Sequence, residues 1–110
     1  MSAWRATSAS PVLPSFDFAA TAAFYGQLGF SVVRTYPDLL LMQSGQVELQ
    51  FASAADPQTG VGQRVYLRGD NVPAGASEAG ATLLRMDWGA DEFRLVDPDG
   101  TLVRVGETLK

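Results

Sequence analysis

Charged and polar side chains alternate with aliphatic ones in several segments of the chain, and these residues could form a binding surface. In the segment VELQF, residues 47–51, Glu48 and Gln50 alternate with apolar residues. An alternation of period two predicts a half-buried strand whose polar residues lie on the face opposite the core. The outward residues of the strands with this pattern are Glu48, Gln50, Arg64, Tyr66, Arg68, Leu102 and Arg104. A few placed polar groups beside an aromatic wall are typical of a small-molecule site.

A Trp-Gly loop precedes the last hairpin and adds a second aromatic residue to the candidate site. Trp88 could stack with Tyr66 on a planar ligand, or it could lie at the rim and pack on a neighbouring subunit. The acidic residues Asp87, Asp91 and Glu92 surround it in the sequence and suit a cationic ligand. The arginines of the strands suit an anionic or carbonyl-rich ligand instead. The sequence leaves both alternatives open.

The chain has no His and no Cys, which limits the chemistry that it could perform. Without Cys there are no disulfides, no thiolate catalysis and no zinc-thiolate sites. A general base would be a carboxylate or Tyr, and Glu48 is the best candidate. We favour the alternative that Glu48 forms an ion pair with Arg64 or Arg104, so no catalytic residue is predicted.

Composition favours one globular domain. The 110 residues are 46% hydrophobic and 18% charged, which is ordinary for a globular protein. The net charge is −4 with only eight basic residues, which argues against nucleic acid and anionic membrane surfaces as partners. No apolar run is long enough to span a membrane, and the N-terminus lacks the features of a signal peptide. We therefore expect a cytoplasmic location.

The predicted elements occur in two similar sets. Asp17 is placed to cap a helix over 18–28, and Gly29 is its expected stop. The second helix, over 73–79, contains Pro and Gly and is predicted to be weak. The turn at 97–100, DPDG, joins the last two strands. The predicted strands cover 11–14, 30–35, 38–43, 46–52, 63–68, 81–85, 92–96 and 101–106. The order βαβββ thus occurs twice.

Two segments resemble a known superfamily. The segment WGADEFRLVDPDG, residues 88–100, and the segment SPVLPSFDFAATAAFYGQLGF, residues 10–30, are similar to the vicinal-oxygen-chelate (glyoxalase/bleomycin-resistance/dioxygenase) superfamily, in its bleomycin-resistance-like branch. The resemblance implies an α+β fold in which two βαβββ modules form curved sheets around an open cup, in a homodimer. It predicts one domain over 1–110. Its parts are module 1 over about 9–53, a linker over 54–62 and module 2 over about 63–107.

The resemblance also addresses metal binding. Enzymes of the superfamily hold a divalent metal with His and Glu side chains, and the corresponding positions here are Ser10, Glu48, Arg64 and Arg104. Of these only Glu48 could bind a metal, because the two arginines would repel a cation. We therefore predict neither a metal nor another cofactor.

These observations predict a metal-free, homodimeric small-molecule-binding protein of the bleomycin-resistance type, which sequesters a planar or aromatic antibiotic-like ligand without turnover. The predicted ligand-binding residues are Glu48, Gln50, Arg64, Tyr66, Arg68, Trp88, Glu92 and Arg104. One alternative is an enzyme that is cofactorless or depends on a metal carried by its substrate, with Glu48 as base. Another alternative is an orphan scaffold without a ligand.

Overall fold

The chain forms two four-stranded sheets, each with one helix. The structure, a computed structural model, describes residues 3–107. The first unit contains β1 (Val12–Ser15), α1 (Phe18–Gly26), β2 (Ser31–Thr35), β3 (Leu39–Ser44) and β4 (Val47–Ser53). The second unit contains β5 (Arg64–Gly69), α2 (Val72–Ala79), β6 (Leu84–Arg85), β7 (Asp91–Val96) and β8 (Leu102–Glu107). The strand orders are β1-β4-β3-β2 and β5-β8-β7-β6, so the predicted α+β fold and the repeated βαβββ order are confirmed.

The first helix begins where its capping residue predicts. The Asp17 carboxylate accepts hydrogen bonds from the backbone N–H groups of Ala19, at 2.9 Å, and Ala20, at 3.3 Å. These bonds satisfy N–H groups that have no partner inside the helix. The helix ends at Gly26, two residues before the predicted end, because Leu28 N–H bonds to Tyr25 O and tightens the last turn. Gly29 then adopts a φ of +90°, which favours glycine.

The second helix is short but better anchored than its sequence predicts. Val72 and Ala76 are buried against Phe93 of β7. A Cβ atom on Gly75 would lie 3.3 Å from the Phe93 ring, so the glycine lets the helix pack closely on the sheet. The strand predicted over 81–85 is reduced to Leu84–Arg85, which pairs with the start of β7.

The hydrophobic core lies on the helix side of both sheets. Its buried residues come from both units: Leu13, Tyr25, Phe30, Leu40, Met42, Leu49, Phe51, Val65 and Val103. The opposite, outward faces are much more exposed. On β1, for example, Leu13 is buried whereas its neighbour Val12 is 57% exposed. Each sheet is therefore covered by the chain on one face only. Among residues 3–107, no helix is long and apolar enough to cross a membrane.

The DPDG turn of the second unit is attached to the first unit by buried polar contacts. Asp97 Oδ1 accepts from the backbone N–H groups of Asp99, at 2.8 Å, and Thr101, at 3.0 Å. The hydroxyl of Tyr25 on α1 donates to Asp97 Oδ2 at 2.7 Å. Phe16 N–H donates to Asp99 Oδ1 at 2.9 Å. Burial, followed by the bond to Asp97, raises the pKa of Tyr25 well above its ordinary value, so the hydroxyl keeps its proton.

Candidate functional site

The outward face of the second sheet collects most of the predicted site residues, and we call it the arginine face. It is built by β5, β8 and β7, which pair side by side so that their residues form rows. One row is Tyr66, Arg104 and Arg94. The flanking rows are Arg64, Leu102 and Val96 on one side and Arg68, Gly106 and Glu92 on the other. The alternation that placed Val65, Leu67, Val103 and Val105 on the core side is confirmed by their positions in the core.

Glu92 is the centre of a hydrogen-bond network on the arginine face. Arg104 bonds both of its carboxylate oxygens, with Nε on Oε2 and a terminal nitrogen on Oε1, each at 3.0 Å. Arg94 Nε and the Tyr66 hydroxyl also donate to Glu92, again at 3.0 Å. The side chain is fully buried, at 0% exposure. A buried carboxylate with this many donors holds the arginines in fixed positions.

The electrostatics of Glu92 follow from these contacts. The hydrogen bonds from Arg104 lower the pKa of Glu92 to about 2, against the opposing effect of burial, and the bonds from Arg94 and Tyr66 act in the same direction. The carboxylate is therefore ionised at neutral pH. Because it already accepts bonds from three side chains, its place in the site is to position Arg94, Arg104 and Tyr66.

The ring of Tyr66 on β5 extends over the neighbouring strand β8, where Gly106 leaves room for it. A Cβ atom on Gly106 would clash with the Tyr66 hydroxyl oxygen and would lie 3.0 Å from two ring carbons. The ring also packs with two guanidinium groups, with Arg104 Cζ 4.7 Å and Arg68 Cζ 4.9 Å from its centroid. These are cation–π distances. Any residue larger than glycine at position 106 would displace the ring and the stack.

The outward face of the first sheet holds Glu48 and Gln50, and the predicted ion pair of Glu48 is wrong. Glu48 Oε1 accepts from Ser10 Oγ at 3.0 Å and from Gln50 Nε2 at 3.1 Å. Arg104 binds Glu92 on its own sheet instead. Among residues 3–107, Arg64 forms no ion pair. Strand alternation predicted that Glu48, Arg64 and Arg104 point outward from their strands. It could not predict that Glu48 lies on one sheet and the two arginines on the other.

The acidic cluster expected around Trp88 does not form. Successive residues of a strand point to opposite faces, so Asp91 and Glu92 are separated at the start of β7. Asp91 Oδ1 pairs with Arg85 Nε at 2.7 Å, and Glu92 belongs to the arginine face. Trp88 is 58% exposed in the loop before β7. Within this chain, only Asp87 and Trp88 of the expected group remain exposed near the loop.

A groove between the two units was not predicted from the sequence. It has a volume of about 1040 Å³ and lies between the end of α1, the β3–β4 turn, β5 and α2. Its apolar wall includes Leu28, Leu67, Val72, Phe93 and Val105. Tyr66 and Arg68 line it as well, so they belong both to this groove and to the arginine face. Residues from both units meet here, and no local sequence pattern indicates such a meeting.

The described residues do not converge as a metal site requires. Across residues 3–107 there is no group of three His, Cys, Asp or Glu side chains that could hold an ion. Of the four positions that correspond to the superfamily's metal ligands, Ser10 and Glu48 contact each other. Arg64 and Arg104 lie on the other sheet. The metal-free character of the site stays a prediction.

The two βαβββ units, each with an exposed outward face of strand residues, define an α+β protein of the glyoxalase-like class. A bleomycin resistance protein from Klebsiella pneumoniae is 34% identical over an alignment of 113 positions, gaps included, that covers 88% of this chain and 89% of that protein. The chain therefore belongs to the bleomycin resistance protein family, within the superfamily that its two sequence segments resemble. No protein-family model matches the chain.

Two solved structures agree with this membership. A bleomycin resistance determinant encoded on transposon Tn5 has a TM-score of 0.83 and 28% identity, over 96% of this chain and 100% of its own. A bleomycin-binding protein in complex with bleomycin has a TM-score of 0.81 and 28% identity, over 94% of this chain and 100% of its own. The similarity in both cases covers both sheets.

Proposed function

We propose that this protein is a homodimer that binds a bleomycin-type antibiotic and sequesters it without turnover. The proposal rests on family membership together with one structural observation, the exposed and pre-positioned aromatic and polar set on the outward sheet faces. The residues proposed to contact or position the ligand are Glu48, Gln50, Arg64, Tyr66, Arg68, Trp88, Glu92 and Arg104. Fixed side chains favour affinity because less conformational entropy is lost on binding.

Binding without catalysis is favoured by the surroundings of Glu48. This carboxylate is the candidate base of the alternative, enzymatic function, and it is exposed. Its hydrogen-bond partners are Ser10 and Gln50, and the chain has no His that could act with it in acid–base catalysis. If the protein were an enzyme, Glu48→Gln would abolish turnover and leave the fold intact. Recovery of the ligand chemically unchanged after incubation with the wild-type protein, with no product formed, would support sequestration.

A titration with bleomycin tests the proposed ligand. We expect calorimetry with copper-loaded and metal-free bleomycin to give a dissociation constant of about 1 μM or lower, near one ligand per chain. Trp88→Ala should weaken binding about tenfold, since it removes an exposed aromatic surface that could stack on a planar ligand. Trp4→Ala is the matched control, because Trp4 is exposed near the N-terminus and we expect no change. The absence of heat with both forms of the ligand would contradict the proposal.

The dimer is supported by the shape and the apolar exposure of one chain. The radius of gyration is 15.0 Å, whereas a compact domain of this length has a value of about 13 Å. Val12 of β1, which lies on the outward strand faces of the first sheet, is 57% exposed. A second copy that covered these faces would complete the site with residues of both chains.

Sedimentation equilibrium tests the dimer. We expect a mass of about twice the 11.7 kDa of one chain at micromolar concentration. Val12→Glu should shift the protein towards monomer, because a carboxylate would enter the outward face of the first sheet. Val61→Glu, in the segment between the units, is the matched control, since Val61 is also exposed. A monomeric wild-type protein would exclude the dimer.

A further inference from the structure

The arginine face is strongly basic although the protein is acidic. It carries Arg64, Arg68, Arg94 and Arg104, half of the eight basic residues of a chain whose net charge is −4. The single acidic residue in its rows is Glu92, which leaves an excess of three positive charges on this face. Such a concentration of charge attracts anions.

Two of these arginines are held in position, and the other two have no carboxylate partner within residues 3–107. Arg94 is anchored on Glu92 through Nε, and Arg104 through Nε and one terminal nitrogen. Both terminal nitrogens of Arg94 and one of Arg104 therefore remain available for a ligand. Among the described residues 3–107, Arg64 and Arg68 take part in no ion pair. Guanidinium groups bind carboxylate, sulfonate and phosphate oxygens with paired hydrogen bonds.

An apolar strip lies directly beside the guanidinium row. Leu102 and Val96 are neighbours across β8 and β7, and Val96 is 64% exposed. On the adjacent strand row, Tyr66 adds an aromatic ring that is 37% exposed. A flat apolar body could lie on this strip while an oxygen anion that it carries meets Arg64, Arg94 or Arg104.

We propose that the arginine face binds organic anions in which a planar apolar body carries a sulfonate, carboxylate or phosphate group. This inference rests on the proposed function, because both place the ligand on the outward faces of the two sheets. It adds that the ligand's charge is negative on this side of the site. A ligand with a cationic part would direct that part away from the arginines, towards residues such as Glu48.

A pair of fluorescent probes tests the proposal on the whole protein. The first is 8-anilinonaphthalene-1-sulfonate, and the second is N-phenyl-1-naphthylamine, which has the same rings without the sulfonate. We expect the sulfonate to bind at least about tenfold more tightly than the amine, because charge-assisted hydrogen bonds form only with the anion. Binding of the sulfonate should weaken as salt increases from about 0.05 to 0.5 M.

Charge-removing variants locate the binding site of the probe. Arg64→Gln and Arg68→Gln should each weaken sulfonate binding about fivefold to tenfold. Arg64→Gln should leave amine binding unaffected, and Arg68→Gln should change it less than sulfonate binding, because Arg68 also packs on the Tyr66 ring. Neither arginine holds Glu92, so both variants should fold, which thermal unfolding followed by circular dichroism verifies. Arg5→Gln is the matched control, since it removes the same charge from an exposed residue near the N-terminus that lies outside the strands. Equal affinity for the two probes, no binding of the sulfonate, or equal effects of Arg5→Gln and Arg68→Gln would overturn the proposal.

The bleomycin titration on the same samples separates the two proposals. If bleomycin binds and the sulfonate does not, the anion site is refuted and the proposed function stands. If the sulfonate binds in the expected pattern and bleomycin gives no heat, the anion site stands without that antibiotic as its ligand. If both bind, displacement of the sulfonate by bleomycin would place them on one surface.

Discussion

Replacement of Glu92 by glutamine is expected to lower the free energy of unfolding by about 3 kcal/mol, because it leaves closely packed arginines without their counter-charge. Glu92 is fully buried and accepts hydrogen bonds from Arg94, Arg104 and Tyr66. Glutamine keeps the size of the side chain, but it loses the charge and one acceptor oxygen. Urea unfolding followed by circular dichroism measures the change.

The control for this substitution is Glu78→Gln on α2, where the carboxylate is exposed and the effect should stay within about 0.5 kcal/mol. If Glu92→Gln were as stable as Glu78→Gln, the network on the arginine face would contribute nothing to stability.

The stability of the wild-type protein and that of Glu92→Gln should depend differently on pH. Glu92 has a pKa of about 2 in the folded protein and an ordinary value of 4.5. Because the folded value is the lower one, the stabilisation is fully present above about pH 5 and is lost as the pH falls towards about 2. The stability difference between wild type and Glu92→Gln should therefore shrink over this interval. A constant difference from pH 5 to 2 would show that the charge of Glu92 is not what stabilises the fold.

Replacement of Asp97 by alanine is the second substitution with a large expected effect, a loss of about 3 kcal/mol. Asp97 is 4% exposed, and its carboxylate accepts from two backbone N–H groups of the DPDG turn and from Tyr25 on α1. The substitution would leave these buried donors without partners, and it would loosen the turn from the first unit. Urea unfolding again measures the effect.

Tyr25→Phe isolates the contact between the two units. It removes only the hydroxyl that bonds Asp97, and we expect a cost of about 1 to 2 kcal/mol. In the double variant the two effects should not add, because both remove the same bond. Asp87→Ala, at an exposed position of the Trp-Gly loop, is the control for the loss of a carboxylate. Additive effects of Asp97→Ala and Tyr25→Phe would contradict coupling through this hydrogen bond.

Local sequence patterns were sufficient for most of the fold. The Asp17 cap, the positive φ of Gly29 and Gly100, and the strand alternation in β5 and β8 all depend on neighbours in the chain. Such interactions involve residues a few positions apart, so the sequence pattern predicts them. The strand predicted over 81–85 is reduced to Leu84–Arg85, because a short edge strand has few pairing partners to extend it.

The candidate site was predicted less completely, because its residues meet across strands and units. Alternation correctly assigned Arg64, Tyr66 and Arg104 to one face, but the role of Glu92 came as a correction, since a loop-side acidic residue was expected there. Its position became clear only from the register of β7 against β8, which brings it beside Arg104. The DPDG turn sets that register, but the sequence does not show which neighbouring side chains Glu92 would bond.

The amino-acid sequence alone was enough to establish the superfamily, the repeated βαβββ order and the polar faces of the strands, since each is written in short-range patterns. The three-dimensional fold was needed to pair Arg104 with Glu92 rather than with Glu48, to bind the DPDG turn to Tyr25 and to open the groove between the units. Those contacts join residues that are not neighbours in the chain. The first depends on strand pairing within the second sheet, and the other two depend on how the two units pack through their shared core.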